Sequence, residues 1–353
     1  MVWSVIYGVL GVLWSLGVPG FPFGEGDLPG ARDESILGTA RAASTAPVIA
    51  ALCFAAAVVA VLLTRAPRPR AARAALVVLG SGVAATLLLV IPDARPLAAL
   101  AYAPFALVAA PFGLLPVSYF DKALPWPVMN LLICQLGGLL WAGATVAYRR
   151  RTQGACGNCG RGAHRPAGWK SAASAARWGR PAAWVAFALP LFYAVVRWAW
   201  VFRLRLGISP SELRELHETG MVWAGAYLAS FAALGGVLAL GLSYRWGERW
   251  PRWVIGLAGR RVPPALPLGA ATTVTVALIA LGGMTIRTTD WTNVTGWLGN
   301  PLFYLPGWGV ALGVATLAYR LRTRGRCRVC GRDDDAARPA TPRRGVRGAR
   351  VTH

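Results

Sequence analysis

Two eighteen-residue segments of this chain are near copies of each other. Residues 144–161 read ATVAYRRRTQGACGNCGR and residues 315–332 read ATLAYRLRTRGRCRVCGR; aligned without a gap they agree at twelve positions, both cysteines included. Each copy follows an apolar run. A chain duplicated in this way folds into two halves that end alike: an apolar segment, then arginines, then a Cys-x-x-Cys-Gly-Arg knuckle.

The apolar runs set the class. Of 353 residues, 56% are hydrophobic and 14% charged, and continuous apolar stretches near twenty residues long recur, the length a helix needs to cross a bilayer. They do not alternate, which excludes a strand barrel. Spans are expected near 2–18, 45–64, 75–93, 127–148, 182–200, 220–243, 264–286 and 302–320. The first lacks a basic n-region and reads as an anchor, not a cleaved signal.

The net charge of +23 invites a nucleic-acid reading, but its placement argues for a membrane. Four segments, 65–73, 149–180, 245–261 and 320–350, hold 28 of the 37 Lys and Arg and four of the 14 acids. They alternate with spans, which is the positive-inside pattern. The expectation is a multi-pass plasma-membrane protein with cytoplasmic N and C termini. Its basic face lies against anionic lipid headgroups, and no nucleic acid is expected.

Charge also limits the topology. An even number of crossings must separate the basic loop at 65–73 from that at 149, yet three apolar stretches lie between. The stretch 96–118 carries Pro96, Pro104, Pro111 and Pro116, which interrupt a helix and favour a re-entrant or interfacial segment. The alternative drops 75–93, since 96–118 stands opposite 264–286 when the knuckle register is extended backwards. The expected fold is therefore an all-α membrane protein of about eight transmembrane helices, in two parallel four-helix repeats with one re-entrant or interfacial segment (96–118). Residues 1–161 form the first repeat, 162–180 a basic cytoplasmic linker, 181–332 the second repeat and 333–353 a disordered basic tail. Between spans, Ser209, Pro210 and Glu212 carry the signature of a capped helix start.

Cys156, Cys159, Cys327 and Cys330 form the two knuckles. A Cys-x-x-Cys turn sets two thiolates on one side of a small loop, and the following Gly lets backbone N–H groups point at sulfur. Two such turns make a tetrahedral S₄ site. The Cys-x-x-Cys-Gly unit resembles the knuckle of zinc ribbons and rubredoxins. One structural zinc held by all four cysteines is the leading expectation, with separate knuckles, redox-active dithiols and an iron centre as alternatives. A reducing cytoplasm disfavours stable disulfides. Cys53 and Cys134 lie inside spans and read as packing residues.

Arg197 lies within the fifth span. A charge at that depth faces the bundle, a cavity or a carboxylate, or else snorkels to the interface. It is flanked by Trp198 and Trp200, which can stack on it or join an interfacial belt. Asp93, Glu212, Glu215 and Asp290 are candidate counter-charges; Asn130 and Gln135 are polar within the fourth span. Together Arg197, Trp198, Trp200, Asp93, Asn130 and Gln135 make a candidate intramembrane pocket. The three histidines all lie outside spans, which argues against a transmembrane bis-histidine haem. P-loop, G-x-S-x-G and H-E-x-x-H motifs are absent, so no enzyme is expected.

Tyr7, Trp14, Leu16 and Gly17 in the first span resemble the Y…W-A-L-G-G motif of small four-helix actinobacterial membrane proteins, with Val18 in place of the second Gly. The Ala, Arg, Gly and Pro content looks like that of a GC-rich actinobacterium. The resemblance implies membrane location and no activity. A small-molecule carrier or binding protein is the first functional expectation. A structural or regulatory protein docking a partner through its cytoplasmic metal module is the second, and a thiol redox sensor the third.

Overall fold

The computed structural model describes residues 1–65, 69–113, 124–162, 168–250, 252, 256–289 and 301–332. Among these residues it is all-helical, with a single isolated bridge between Arg249 and Arg261. The first half contributes α1 (Val2–Ser15), α2 (Ala42–Thr64), α3 (Arg70–Ala85), α4 (Arg95–Ala109) and α5 (Trp126–Thr152). The second contributes α6 (Ala172–Val201), α7 (Pro210–Glu218), α8 (Met221–Gly241), α9 (Ala265–Thr288) and α10 (Leu305–Thr323).

Six of these, α2, α3 with its extension to Val90, α5, α6, α8 and α9, are long and apolar enough to cross a membrane. The build is that of a multi-pass helical membrane protein in contact with lipid. Leu52 (65% exposed) and Val78 (69%) point outward from α2 and α3, an arrangement that lipid tolerates and water does not. α1 is apolar but only 14 residues long, and α10 ends in Arg320 and Arg322. The short α7 starts with the full capping box: Ser209 Oγ accepts from the Glu212 N–H, and the Glu212 carboxylate accepts from the Ser209 N–H.

Two helix pairings recur: α1 lies on α2 as α6 lies on α8, and α3 on α5 as α9 on α10; α6 also packs extensively on α10, with no contact of that extent between α1 and α5. The register of the closest approaches also repeats. On α5, Gly138 meets Leu87 and Leu88; on α10, Gly309, at the same offset from the cysteines, meets Leu278 and Ile279. A Cβ at Gly309 would stand 2.9 Å from Ile279 Cγ1, so small residues are what let these helices close up. Gly138 thus meets the stretch 75–93, and Gly309 meets α9. After α3 the helix widens into a π turn over Thr86–Val90, which packs on both α5 and α9 and so joins the halves.

Arg95 and Trp126, on either side of 96–125, both bind the α1–α2 connection. Arg95 pairs with Asp27 of that connection (Nη1–Oδ1 2.6 Å, Nη2–Oδ2 2.9 Å) and with Asp93 (2.6 Å). Trp126 Nε1 donates to the Gly20 carbonyl of the same connection at 2.7 Å. Residues 114–123, including the last part of the stretch 96–118, lie outside the described residues, as does the tail 333–353.

Candidate metal centre and apolar cavity

α5 and α10 run to the same end of the molecule and deliver the two knuckles side by side. The sulfur atoms of Cys156, Cys159, Cys327 and Cys330 all lie within 4.8 Å of one another, and Cys159 and Cys330 Sγ are 3.6 Å apart. Tetrahedral zinc with Zn–S bonds of about 2.3 Å needs S–S edges of about 3.8 Å, so the spacing and the donor set both suit a metal ion.

The two turns are built alike, bond for bond. Cys156 N–H donates to the Arg161 carbonyl (2.9 Å) and Cys327 N–H to the Arg332 carbonyl (3.0 Å). Gly160 N–H donates to the Cys156 carbonyl and Gly331 N–H to the Cys327 carbonyl. Both glycines sit at positive φ, +76° and +68°, which explains why a Gly follows each second cysteine. The arginines after them cross over: Arg161 Nη1 donates to the Arg332 carbonyl and Arg332 Nη1 to the Arg161 carbonyl, each at 3.0 Å. Arg161 also donates to the carbonyls of Arg324 and Gly325. The knuckles therefore hold each other through arginine-to-backbone bonds as well as through sulfur.

The electrostatics are pseudo-symmetric too. Backbone N–H groups of Cys330 and Val329 hold the Cys327 thiol down at about 6. Those of Cys159 and Asn158 hold Cys156 below the usual thiol range. Desolvation, with the neighbouring thiols, pushes Cys159 up to about 11. Cys156 and Cys327, the first cysteines of the two knuckles, are both held towards the thiolate. This is a donor set ready for a cation. Asn158 Nδ2 approaches Cys327 Sγ at 3.8 Å, a bond across the halves that spacing alone did not suggest.

The intramembrane candidates do not form one constellation. Asp93 is buried in the Arg95 pairing at the far end, away from the knuckles, and is not Arg197's partner. Glu212 is engaged in its capping box, and Asp290 lies outside the described residues. Asn130 and Gln135 are buried on α5. Tyr7 OH donates to Asn130 Oδ1 at 2.6 Å, while Trp3 Nε1 donates to the Ile133 carbonyl and Trp141 Nε1 to Ser4 Oγ. This polar seam ties α1 to α5. Trp198 is exposed and donates to Ser230 Oγ at 2.9 Å. Trp200 alone remains with Arg197: the guanidinium lies 4.6 Å from the Trp200 ring and 5.3 Å from that of Tyr193, and its Nε donates to Tyr193 OH at 3.2 Å.

Arg197 stands at one end of a cavity of about 1020 Å³. α8 and α9 are consecutive spans but make at most marginal contact; α4 sits beside them at the far end, where Tyr102 stacks on Tyr227 at 5.6 Å. The facing positions are small: Ala98 and Ala101 on α4, Ala232 and Gly235 on α8, Ala271 and Val274 on α9. Small residues between helices that are held apart leave unfilled volume. Trp246 and Arg249 close the knuckle end. The sequence signal missed here is the run of small residues on 94–101, which proline content had masked.

Comparison with known proteins finds no matching family model, no similar curated protein and no similar solved structure.

Proposed function

We propose that this protein is a plasma-membrane carrier or binding protein built from two parallel four-helix repeats. A structural zinc clamps their cytoplasmic ends, and the ligand pocket lies in the second repeat. In this reading α1, α2, α3 and α5 correspond to α6, α8, α9 and α10, and 96–118 is the re-entrant or interfacial segment. The repeated helix pairing, the shared Gly138 and Gly309 register and the mirrored knuckle bonds support it. The basic ends face the cytoplasm and anionic headgroups under the positive-inside rule. Four thiols clustered between basic segments suit zinc better than a disulfide.

The observation that carries the binding role is the cavity with Arg197 at its end. Native mass spectrometry of protein extracted in nanodiscs tests it. A small molecule retained by the parent and lost in Ala232→Trp, which fills the cavity, is the expected result; an identical bound mass in both sinks the reading. A structural or regulatory role remains the second reading. It is favoured by the knuckle tip, where Val329 is 73% exposed beside Arg328, and it predicts a partner lost on deletion of 333–353.

A further inference from the structure

We infer that the cavity between α8 and α9 binds a single-chain or lipid-like amphiphile bearing a phosphate group, with the phosphate on Arg197 and the apolar chain running towards the knuckle end. The inference rests on the binding role proposed above and names its ligand class.

Three observations converge. The first is shape. Lining positions on α8 run from Leu228 to Gly241, a rise of about 20 Å at 1.5 Å per residue. One leaflet of hydrocarbon is about 15 Å deep, half of a core of about 30 Å. The cavity is thus a slot long enough for an extended chain, and its walls, including Leu97, Phe231, Leu278 and Leu281, offer it apolar contact.

The second is charge. Arg197 has an exposure between buried and open. Its Nε is committed to Tyr193 and its face to Trp200, but neither terminal nitrogen has a carboxylate or carbonyl partner among the described residues. A guanidinium fixed by stacking on one side, with its terminal N–H groups unspent, presents the planar fork that binds phosphate oxygens. Gly225 makes room for it: a Cβ there would stand 3.3 Å from Nη1. Glu34 is exposed at the same rim and makes no ion pair with Arg197, so among the described residues no carboxylate pairs with the cation.

The third is depth. Arg197 lies four residues before the end of α6, about 6 Å from the helix end. That is the level of headgroups, with the hydrocarbon starting below. A phosphate at Arg197 therefore keeps its chain where the slot begins. Arg249 at the opposite end is exposed and sits outside the apolar length.

The test compares hexadecyl phosphate, hexadecanol and inorganic phosphate as probes, by equilibrium dialysis against the purified full chain in detergent. Hexadecyl phosphate is expected to bind at least about tenfold more tightly than hexadecanol, and inorganic phosphate not to bind measurably. Arg197→Gln should weaken hexadecyl phosphate by about tenfold or more, the loss of a charge-assisted hydrogen bond of about 1.5–3 kcal/mol, and leave hexadecanol unchanged. Arg197→Lys should recover part of that loss. Equal affinity for the two chains, unmoved by Arg197→Gln but lost in Ala232→Trp, overturns the phosphate and keeps the binding role. Inorganic phosphate that binds through Arg197 as well as the long chain does overturns the amphiphile. Indifference of all probes to Ala232→Trp removes both.

Discussion

The first half of the molecule is closed where the second is open. Tyr7 and Trp14 on α1 and Tyr193 and Trp200 on α6 are all buried, at the same spacing. Between the first pair stands Gly11, between the second Arg197. A Cβ at Gly11 would lie 2.9 Å from Ala50 N, so glycine brings α1 and α2 backbone to backbone; Arg197 puts a cation there instead. On α5, Asn130 supplies polar glue by accepting from Tyr7 OH. The positions matching Asn130 and Gln135, before and on α10, are Pro301 and Pro306, and Pro306 abuts Gly282 of α9. α2 then packs on α3, whereas α8 stands off from α9. Under the proposed repeat, one helical plan yields a tied scaffold or a slot, according to a few side chains at matching places.

The largest expected effect tests whether the halves are equal partners at the metal. Cys156→Ser and Cys327→Ser should each reduce bound zinc from about one per chain to below about a tenth, because each half gives two of four ligands and three-ligand sites bind far more weakly. Mass spectrometry of metal content checks this. Loss in only one variant would show that the knuckles are not equivalent. Next in size is the far end, where the two halves differ: among the described residues, only the first half has a half-buried cation shared by two acids. Arg95→Ala strands Asp27 and Asp93, 5% and 2% exposed, and should cost about 3–5 kcal/mol, read from denaturant unfolding in detergent. A cost below about 1 kcal/mol would mean that water already solvates the pair.

Much of this comparison could be read from the chain, for identifiable reasons. The meeting of the four cysteines was legible because both knuckles follow a span at the same offset, and two helices ending on one side of a bilayer have few ways to stay apart. The capped start of α7 was legible because Ser209 and Glu212 act locally. The cavity was not. Where α4, α8 and α9 face one another its walls include Ala98, Ala101, Ala232, Gly235 and Ala271, and small residues in a membrane more often mark close helix contact; only the placement of α4 beside α8 and α9 decides the matter. Asp93, one of four candidate counter-charges for Arg197, pairs with Arg95 instead, and the share of Arg95 taken by Asp27 closes over 68 positions. Long-range choices among charges leave no periodic trace. The polar seam of Tyr7, Asn130 and Trp141 was visible only as isolated polar residues in spans.

Packing density gives a third contrast. Ala46 on α2 is fully buried, and Ala46→Leu should cost about 1–3 kcal/mol through overpacking. Ala232 faces the slot, so Ala232→Leu should fall within about 0.5 kcal/mol of the parent, since its added methylenes displace nothing. Thermal unfolding of both variants side by side reads the difference. Equal destabilisation would mean that the slot is not a void.

The smallest expected effect lies at the helix ends beside the knuckles. Arg151 and Arg322 hold the same offset from the cysteines, and each donates to terminal carbonyls of a neighbouring span. Arg151 Nη2 reaches the Leu63 carbonyl of α2 at 2.9 Å. Arg322 reaches the Leu242 and Ser243 carbonyls just past α8 at 2.9 and 2.7 Å and adds an ion pair with Glu248 at 3.0 Å. Charged donors at a helix C-terminus satisfy orphan carbonyls and oppose the dipole. Arg151 is exposed and makes one such bond; Arg322 is less exposed and makes two. Arg322→Ala should therefore cost about 1 kcal/mol and Arg151→Ala less than about 0.5. Amide exchange localises each: faster at Leu242–Tyr244 in the first variant, at Leu63–Arg65 in the second. If Arg151→Ala instead loosened α2 as much as Arg322→Ala loosens α8, the helix that walls the slot would need no more fastening than its packed counterpart, and the asymmetry between halves would reside in α4 and the Arg197 position alone.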